Sequence, residues 1–266
     1  MLRITQRKLL SCFASAAALT ALSVGCGPIG PVQENMDPVT EQFAKEPLAM
    51  DPVTATEVGY HKHTVGGTAE GEGGGQTINL DEELGDYSSA GIAKRVEFYK
   101  GIQTRLNTHE TNEDVPERDK LNSDRWVNFG VISNRIDRAL FRLETEKPQA
   151  TDPNFYVEIL GRGLSTPLTL DYAGADERFG HIIARLEKVP AFLATAKSNL
   201  TETSELQAES TLEELNGLKN LINRDIKSDL PASLESRFTP AAAAAVAAID
   251  EFAQSLRSLP KGKDWR

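Results

Sequence analysis

The sequence predicts an all-α protein, an array of antiparallel amphipathic helices, and three observations carry that reading. Apolar residues recur every three to four positions through most of the chain beyond Ser88. No stretch shows sustained strand alternation. Helix punctuation is frequent, with Asp51-Pro52, Thr239-Pro240 and an alanine run at 241–245.

The elements follow in chain order. Arg3, Arg7 and Lys8 open the chain, an apolar run extends from Leu9 to Val24, and no further charge appears before Glu34. Small residues Ser23 and Gly25 flank the point before Cys26, so residues 1–25 read as a bacterial secretory leader. Cys26 directly after the cut is the expected lipidation site, which makes the mature protein lipid-anchored in the cell envelope. Simple secretion, periplasmic or beyond, is the alternative, because Ser23 stands where a lipobox has Leu. A retained span is disfavoured, since the apolar run is shorter than the roughly 20 residues a bilayer needs. Residues 26–38, with Gly27, Pro28, Gly30 and Pro31, read as a tether, and 39–266 as the helical domain.

A short helix is expected from about Val39 to Met50, and Asp51-Pro52 forces a break and a restart. Residues 64–76 hold six glycines and read as a flexible loop without the spacing of a phosphate cradle. Ser88 or Ser89 caps a helix with Ile92, Val96, Tyr99, Ile102 and Leu106 on one face. The next helix, from about Glu117 to Glu144, carries Leu121, Val127, Val131, Ile136, Leu140 and Leu143 on its apolar side. Arg135, Arg138 and Arg142 lie on another side. Phe155, Tyr156, Ile159 and Leu160 predict a shorter helix ending near Gly161 and Gly163.

Asp176 opens a further helix with Phe179, Ile182, Ile183 and Leu186 inward. Pro190 either kinks it or starts another, which carries Phe192, Leu193, Ala196 and Leu200. From Ser204 to Asp229 the apolar set includes Leu206, Leu212, Leu215, Leu218, Ile222 and Ile226, with Ser210 and Glu213 at capping-box spacing. Thr239-Pro240 predicts the start of the last helix, faced by Ile249, Phe252 and Leu256.

Charge and side-chain inventory exclude several functions. Losing the leader's three cations takes Lys and Arg from 29 to 26 against 39 acidic residues, a net charge of −13. Such a chain repels nucleic-acid phosphates and anionic lipid. Its cysteines are Cys12 and Cys26, so the mature form has no disulfide and no cysteine-based metal site. His61 and His63 form the one close pair of metal-ligand types, with no third ligand nearby in sequence, and read as surface-loop residues. His109 reads as solvated and His181 as packed at a helix flank. Glu213-Glu214 and Asp250-Glu251 read as solvated helix faces. Asn199-Leu200-Thr201 is a formal glycosylation sequon of little weight behind a bacterial leader. No metal or catalytic set can be assigned, apart from a site assembled in space from His61, His63 and a distant carboxylate.

An ordered set of segments carries a resemblance. Asp51-Pro52-Val53-Thr54-Ala55-Thr56-Glu57-Val58-Gly59-Tyr60-His61 opens it. The Asp124–Leu143 helix and Asp152-Pro153 with Tyr156 come next. Then come Arg185-Leu186, Val189-Pro190-Ala191-Phe192-Leu193, Asn199-Leu200, the alanine-rich helix and Lys261-Gly262-Lys263-Asp264-Trp265-Arg266. Over residues 39–266 the chain resembles the N-terminal half of the bacterial family known as domain of unknown function 885, although its 64–76 segment is longer.

The resemblance implies a helical, zincin-like peptidase, often secreted or lipid-anchored. The family's zinc motif, of His-Glu-x-x-x-x-His type with a later Glu, belongs to the C-terminal half and is not in this sequence. The expectation is therefore a chain with no zinc or other cofactor and no peptide hydrolysis of its own. Its expected partners are the membrane, through Cys26, and a C-terminal half, with a peptide substrate only when completed. The alternative is a non-catalytic envelope binding or scaffold lipoprotein.

Overall fold

The computed structural model describes residues 38–65, 75–111 and 124–262. The leader, Cys26, the tether up to residue 37, the glycines of 66–74 and the 263–266 motif lie outside the described residues, as do the side chains of His109 and Leu121. The described residues all belong to one compact unit, Met36–Arg266.

Helix α1 spans Pro38–Met50 and α2 spans Pro52–Glu57. Asp51 caps α2, its carboxylate accepting from the Thr54 backbone N–H, with Pro52 at the first helical position. The expected break and restart is thus present. A small antiparallel hairpin follows, β1 (Lys62–Val65) and β2 (Gln76–Asn79), in the register Lys62↔Asn79 to Val65↔Gln76. The sequence expectation had no strand here. Each strand is four residues long, too short for alternation to show, and the glycine-rich segment separates the two. A 3₁₀ turn, Leu80–Glu82, leads out of β2.

Helix α3, Ser89–Thr111, is capped as expected by Ser88, whose hydroxyl accepts from the Gly91 N–H. Helix α4, Asp124–Phe141, runs into a π-type turn at Arg142–Glu146, where Lys147 takes a left-handed conformation and ends it. Helices α5 (Pro148–Thr151) and α6 (Asn154–Thr169) come next, and α6 passes straight through Gly161 and Gly163. It continues because Gly163, Leu164, Thr166 and Pro167 are buried in the packing. Helix α7, Ala175–Asn199, is continuous through Pro190, held by buried Val189, Phe192 and Leu193 on either side.

Helix α8, Glu205–Asn220, carries a capping box at Ser204 and Gln207, not at Ser210 and Glu213, which lie inside the helix. It extends through a π-type segment, Leu221–Ile226, to Asp229. Helix α9, Glu235–Ser258, begins before Thr239-Pro240. A 3₁₀ turn at Ala232–Leu234 starts it early, buried Phe238 holds its first turns, and the Thr239 hydroxyl bonds back to the Glu235 carbonyl rather than capping.

The main core is built from α6, α7, α8 and α9, with α9 lying along α7. Ile182, Ile183 and Leu186 are fully buried in it, each worth about 1.5–3 kcal/mol over exposure. A second cluster joins α1, α3 and α4 through Ile102, Leu106, Ile132 and Ile136, with Phe43 and Tyr99 against it. On α4 the buried side is therefore Ile132 and Ile136, whereas Val127 and Val131 are 60% and 51% exposed, contrary to the sequence reading. Leu206 on α8 is likewise exposed. Glu213, Glu214, Asp250 and Glu251 are exposed as expected, and Asp250 and Glu251 pair with Lys219 and Lys197.

Candidate functional site

The candidate site forms where α2, the hairpin and α7 meet. The left-handed Gly59 turns the chain out of α2 and delivers His61 to the start of β1. The 3₁₀ turn after β2 brings Asp81 opposite, and α7 supplies His181 and Arg185, one turn apart. Tyr172 comes from the connection between α6 and α7.

Asp81 is the hub, almost fully buried. Its Oδ1 accepts from the Thr56 hydroxyl at 2.7 Å, and both carboxylate oxygens lie 3.0 Å from His61 Nδ1. The Thr56 oxygen in turn accepts from Arg185 at 2.7 Å. Arg185, fully buried, also donates to the backbone carbonyls of Leu80, Glu83 and Gly163. One guanidinium thus ties α2, the 3₁₀ turn and α6 to α7. Burial pulls the Arg185 pKa down from its ordinary value, opposed by Tyr172 and the nearby carboxylates of Asp81, Glu57 and Glu83.

The hydrogen-bond pattern fixes the histidine tautomers by inference. The Asn79 amide is oriented by two bonds: its oxygen accepts from the Asp81 N–H and its nitrogen donates to Glu82. That nitrogen also donates to His181 Nε2 at 3.3 Å, so His181 carries its proton on Nδ1 and presents it to the Tyr172 oxygen at 3.0 Å. His61 donates from Nδ1 to the carboxylate, which leaves its Nε2 lone pair without a partner among the described residues. The side chain is 30% exposed. Tyr172 stacks on His61 with ring centroids 4.6 Å apart and lies parallel to His181 at 6.0 Å. Burial first, then the Asp81 charge, raises the Tyr172 pKa and keeps the phenol neutral.

The placement corrects the reading of both close histidines as surface-loop residues. His61 belongs to the buried network, and His63 is itself buried in β1, its Nδ1 2.9 Å from the Tyr60 hydroxyl and its Nε2 3.7 Å from Glu46. The two do not converge on one point. His181 is packed on α7 as expected, but it joins the network rather than merely flanking the helix. Asp81, Asn79 and Tyr172 were missed by the sequence reading. Thr56, His61 and Arg185, each from a segment that carries the family resemblance, do meet here, and membership of those segments was the available signal.

Zinc, implied by the family resemblance, does not fit these residues. It needs three protein ligands. His61 Nδ1 is bonded to Asp81 and His181 Nε2 to Asn79. Among the described residues no three His, Cys, Asp or Glu side chains converge to hold a metal ion.

Beside the network, a groove of about 950 Å³ runs between the hairpin, α1, α3 and α7. Met50, Leu84, Phe98 and Phe192 give it an apolar floor, with Lys94 and Lys188 among its charged lining residues. His63 reaches this groove. Asn199, the formal sequon, is bonded to the Tyr87 carbonyl and the Tyr156 hydroxyl.

Helices packed around a buried histidine–carboxylate network define the class of protein, and comparison places it more narrowly. The chain belongs to the family described as bacterial protein of unknown function, DUF885, whose model matches residues 52–266. It is also similar to a solved structure from Shewanella oneidensis, described as "a putative lipoprotein of unknown function". That similarity has a TM-score of 0.65 at 20% identity, covering 83% of this chain and 36% of that one. The chain therefore spans about a third of that protein's length, and the likeness is one of fold. No curated protein matches it.

Proposed function

We propose that this chain is an exported, lipid-anchored member of the family and that it builds the histidine-bearing side of a peptidase-type site. The observation that carries the reading is the His61–Asp81 pair. A buried carboxylate holds the imidazole by Nδ1, and the opposite nitrogen has no partner among the described residues, a pairing suited to a general acid–base group. Export and anchoring are supported by the leader before Cys26 and by the description of the Shewanella protein as "a putative lipoprotein". The chain by itself is proposed to hold no zinc and cut no peptide.

The purified mature chain tests this in two measurements. Stoichiometric zinc with chelator-sensitive peptide hydrolysis overturns the inactivity. A diacylglycerol adduct on Cys26 in the mass of the mature N-terminus supports the anchor. A free Cys26 amine leaves export alone, and an intact Met1 overturns both.

The second reading, a non-catalytic envelope binding protein, is favoured by the groove of about 950 Å³ with its apolar floor. Titration calorimetry with a mixed peptide library separates the two. Binding that weakens in His61→Gln supports the histidine site. Binding that ignores this substitution but falls in Phe98→Ala supports the groove.

A further inference from the structure

A second concavity, of about 890 Å³, lies between α1, the end of α2 and α4. Its apolar lining includes Phe43, Leu48, Val58 and Val131, and two of these remain open to water, Val58 at 63% and Val131 at 51% exposure. Three cations, Arg135, Arg138 and Arg142, line it as well, and no Asp or Glu is among the described residues that do. All three arginines are exposed, and of these Arg142 also acts on the Asp152 carboxyl. In a chain of net charge −10 this is a local reversal of sign.

The spacing is informative. Positions 135 and 138 lie on one face of α4, and 142, the first residue of the π-type turn that continues it, extends that face about 10 Å beyond 135. Val131 continues the same face toward the N-terminus. An apolar contact followed by guanidinium groups at helical intervals complements another helix that presents an apolar residue and then acidic residues at the same intervals. A flat anionic bilayer fits a concave, partly apolar trough less well than a chain laid into it.

We infer that the α1–α4 groove is a docking site for an acidic amphipathic helix of a partner polypeptide, held by Arg135, Arg138 and Arg142. Charge complementarity gives orientation and rate of encounter, while the open valines supply the apolar contact. The site is separate from the His61–Asp81 network and does not depend on the function proposed for it.

The test uses a fluorescein-labelled three-heptad peptide with Leu at its core positions and Glu beside them, its Lys-for-Glu counterpart, and phosphatidylglycerol vesicles. The mature chain is expected to bind the acidic peptide, more weakly as salt is raised, and not the basic one. The triple variant Arg135→Glu/Arg138→Glu/Arg142→Glu is expected to lose about tenfold or more in affinity. These side chains are exposed, so its helical circular dichroism is expected to be unchanged; Val131→Asp provides an independent single-site variant. Equal binding of both peptides, unaltered affinity in the triple variant, or binding to the vesicles alone overturns the inference.

Discussion

His61 Nδ1 lies 3.0 Å from each carboxylate oxygen of Asp81, a residue brought to it by the 3₁₀ turn that follows a hairpin. The relation is asymmetric, because Asp81 is buried while the His61 side chain is 30% exposed. A carboxylate so placed sets the tautomer of its partner.

Asp81→Ala is expected to destabilise the protein by about 2–4 kcal/mol, because it removes the acceptor of the His61 N–H and a carboxylate that acts on the buried Arg185, although the Thr56 hydroxyl keeps the Pro52 carbonyl. It also releases the tautomer. Nitrogen NMR of the imidazole is expected to show His61 protonated on Nδ1 in the wild type and a mixture of tautomers in the variant. Urea unfolding supplies the stability readout.

Arg185→Met is expected to cost about 3 kcal/mol or more, although Met fills much of the same volume. The loss comes from the carbonyls of Glu83 and Gly163, which lose the guanidinium donor, while the Leu80 carbonyl keeps the Glu83 N–H. Arg185→Lys is expected to restore little, since an ammonium cannot span three acceptors arranged for a planar fork. Urea midpoints of the two variants check this.

Two glycines with positive φ separate conformational strain from crowding. Gly59, at φ +81°, has open space where a Cβ would sit, so Gly59→Ala is expected to cost about 1 kcal/mol. Gly85, at φ +89°, would place its Cβ 3.1 Å from the Met50 carbonyl and 3.1 Å from the Tyr87 ring. Gly85→Ala is expected to cost about 2–3 kcal/mol, the excess over Gly59→Ala reporting the close approach.

The acid limb of stability is expected to include Glu57. Its hydrogen bonds and ion pair with Arg162 hold its carboxyl below the ordinary value of 4.5. A depressed folded-state pKa contributes stability that is fully present above the unfolded value. That contribution is lost as pH falls below 4.5 and through the folded value. Glu57→Gln is expected to flatten the pH dependence in that window. Urea midpoints at about pH 6 and about pH 3 for both proteins measure it.

Helix was legible in the sequence wherever packing and punctuation agreed, as at Asp51-Pro52, at Ser88 and along Ile182, Ile183 and Leu186. It was misjudged where tertiary burial overrode a local signal. Phe238 carries α9 past Thr239-Pro240, and Gly163 stays helical because Val53, Leu84 and Arg185 close around it. Ser204 took the capping role that Ser210 had been assigned, since both fit the pattern and only one lies at the end of a helix. The site was less legible. His61 and Asp81 are twenty residues apart across a hairpin with two four-residue strands, and His181 is a hundred residues further on. Helical periodicity carries no information about such a meeting. Only the presence of Thr56, His61 and Arg185 in the segments that carry the family resemblance marked them beforehand.

Helix α7 places His181 beside Ile182 and Ile183, and Arg185 beside Leu186, all of them buried. The α7 members of the network, His181 and Arg185, therefore open only with the largest part of the hydrophobic interior. Amide protons along this helix are expected to exchange only through global unfolding, whereas those of the outlying hairpin exchange more readily. A ligand meeting His61 spends little free energy on ordering the α7 side of the site. By the same coupling, any change that softens the interior reaches the imidazole.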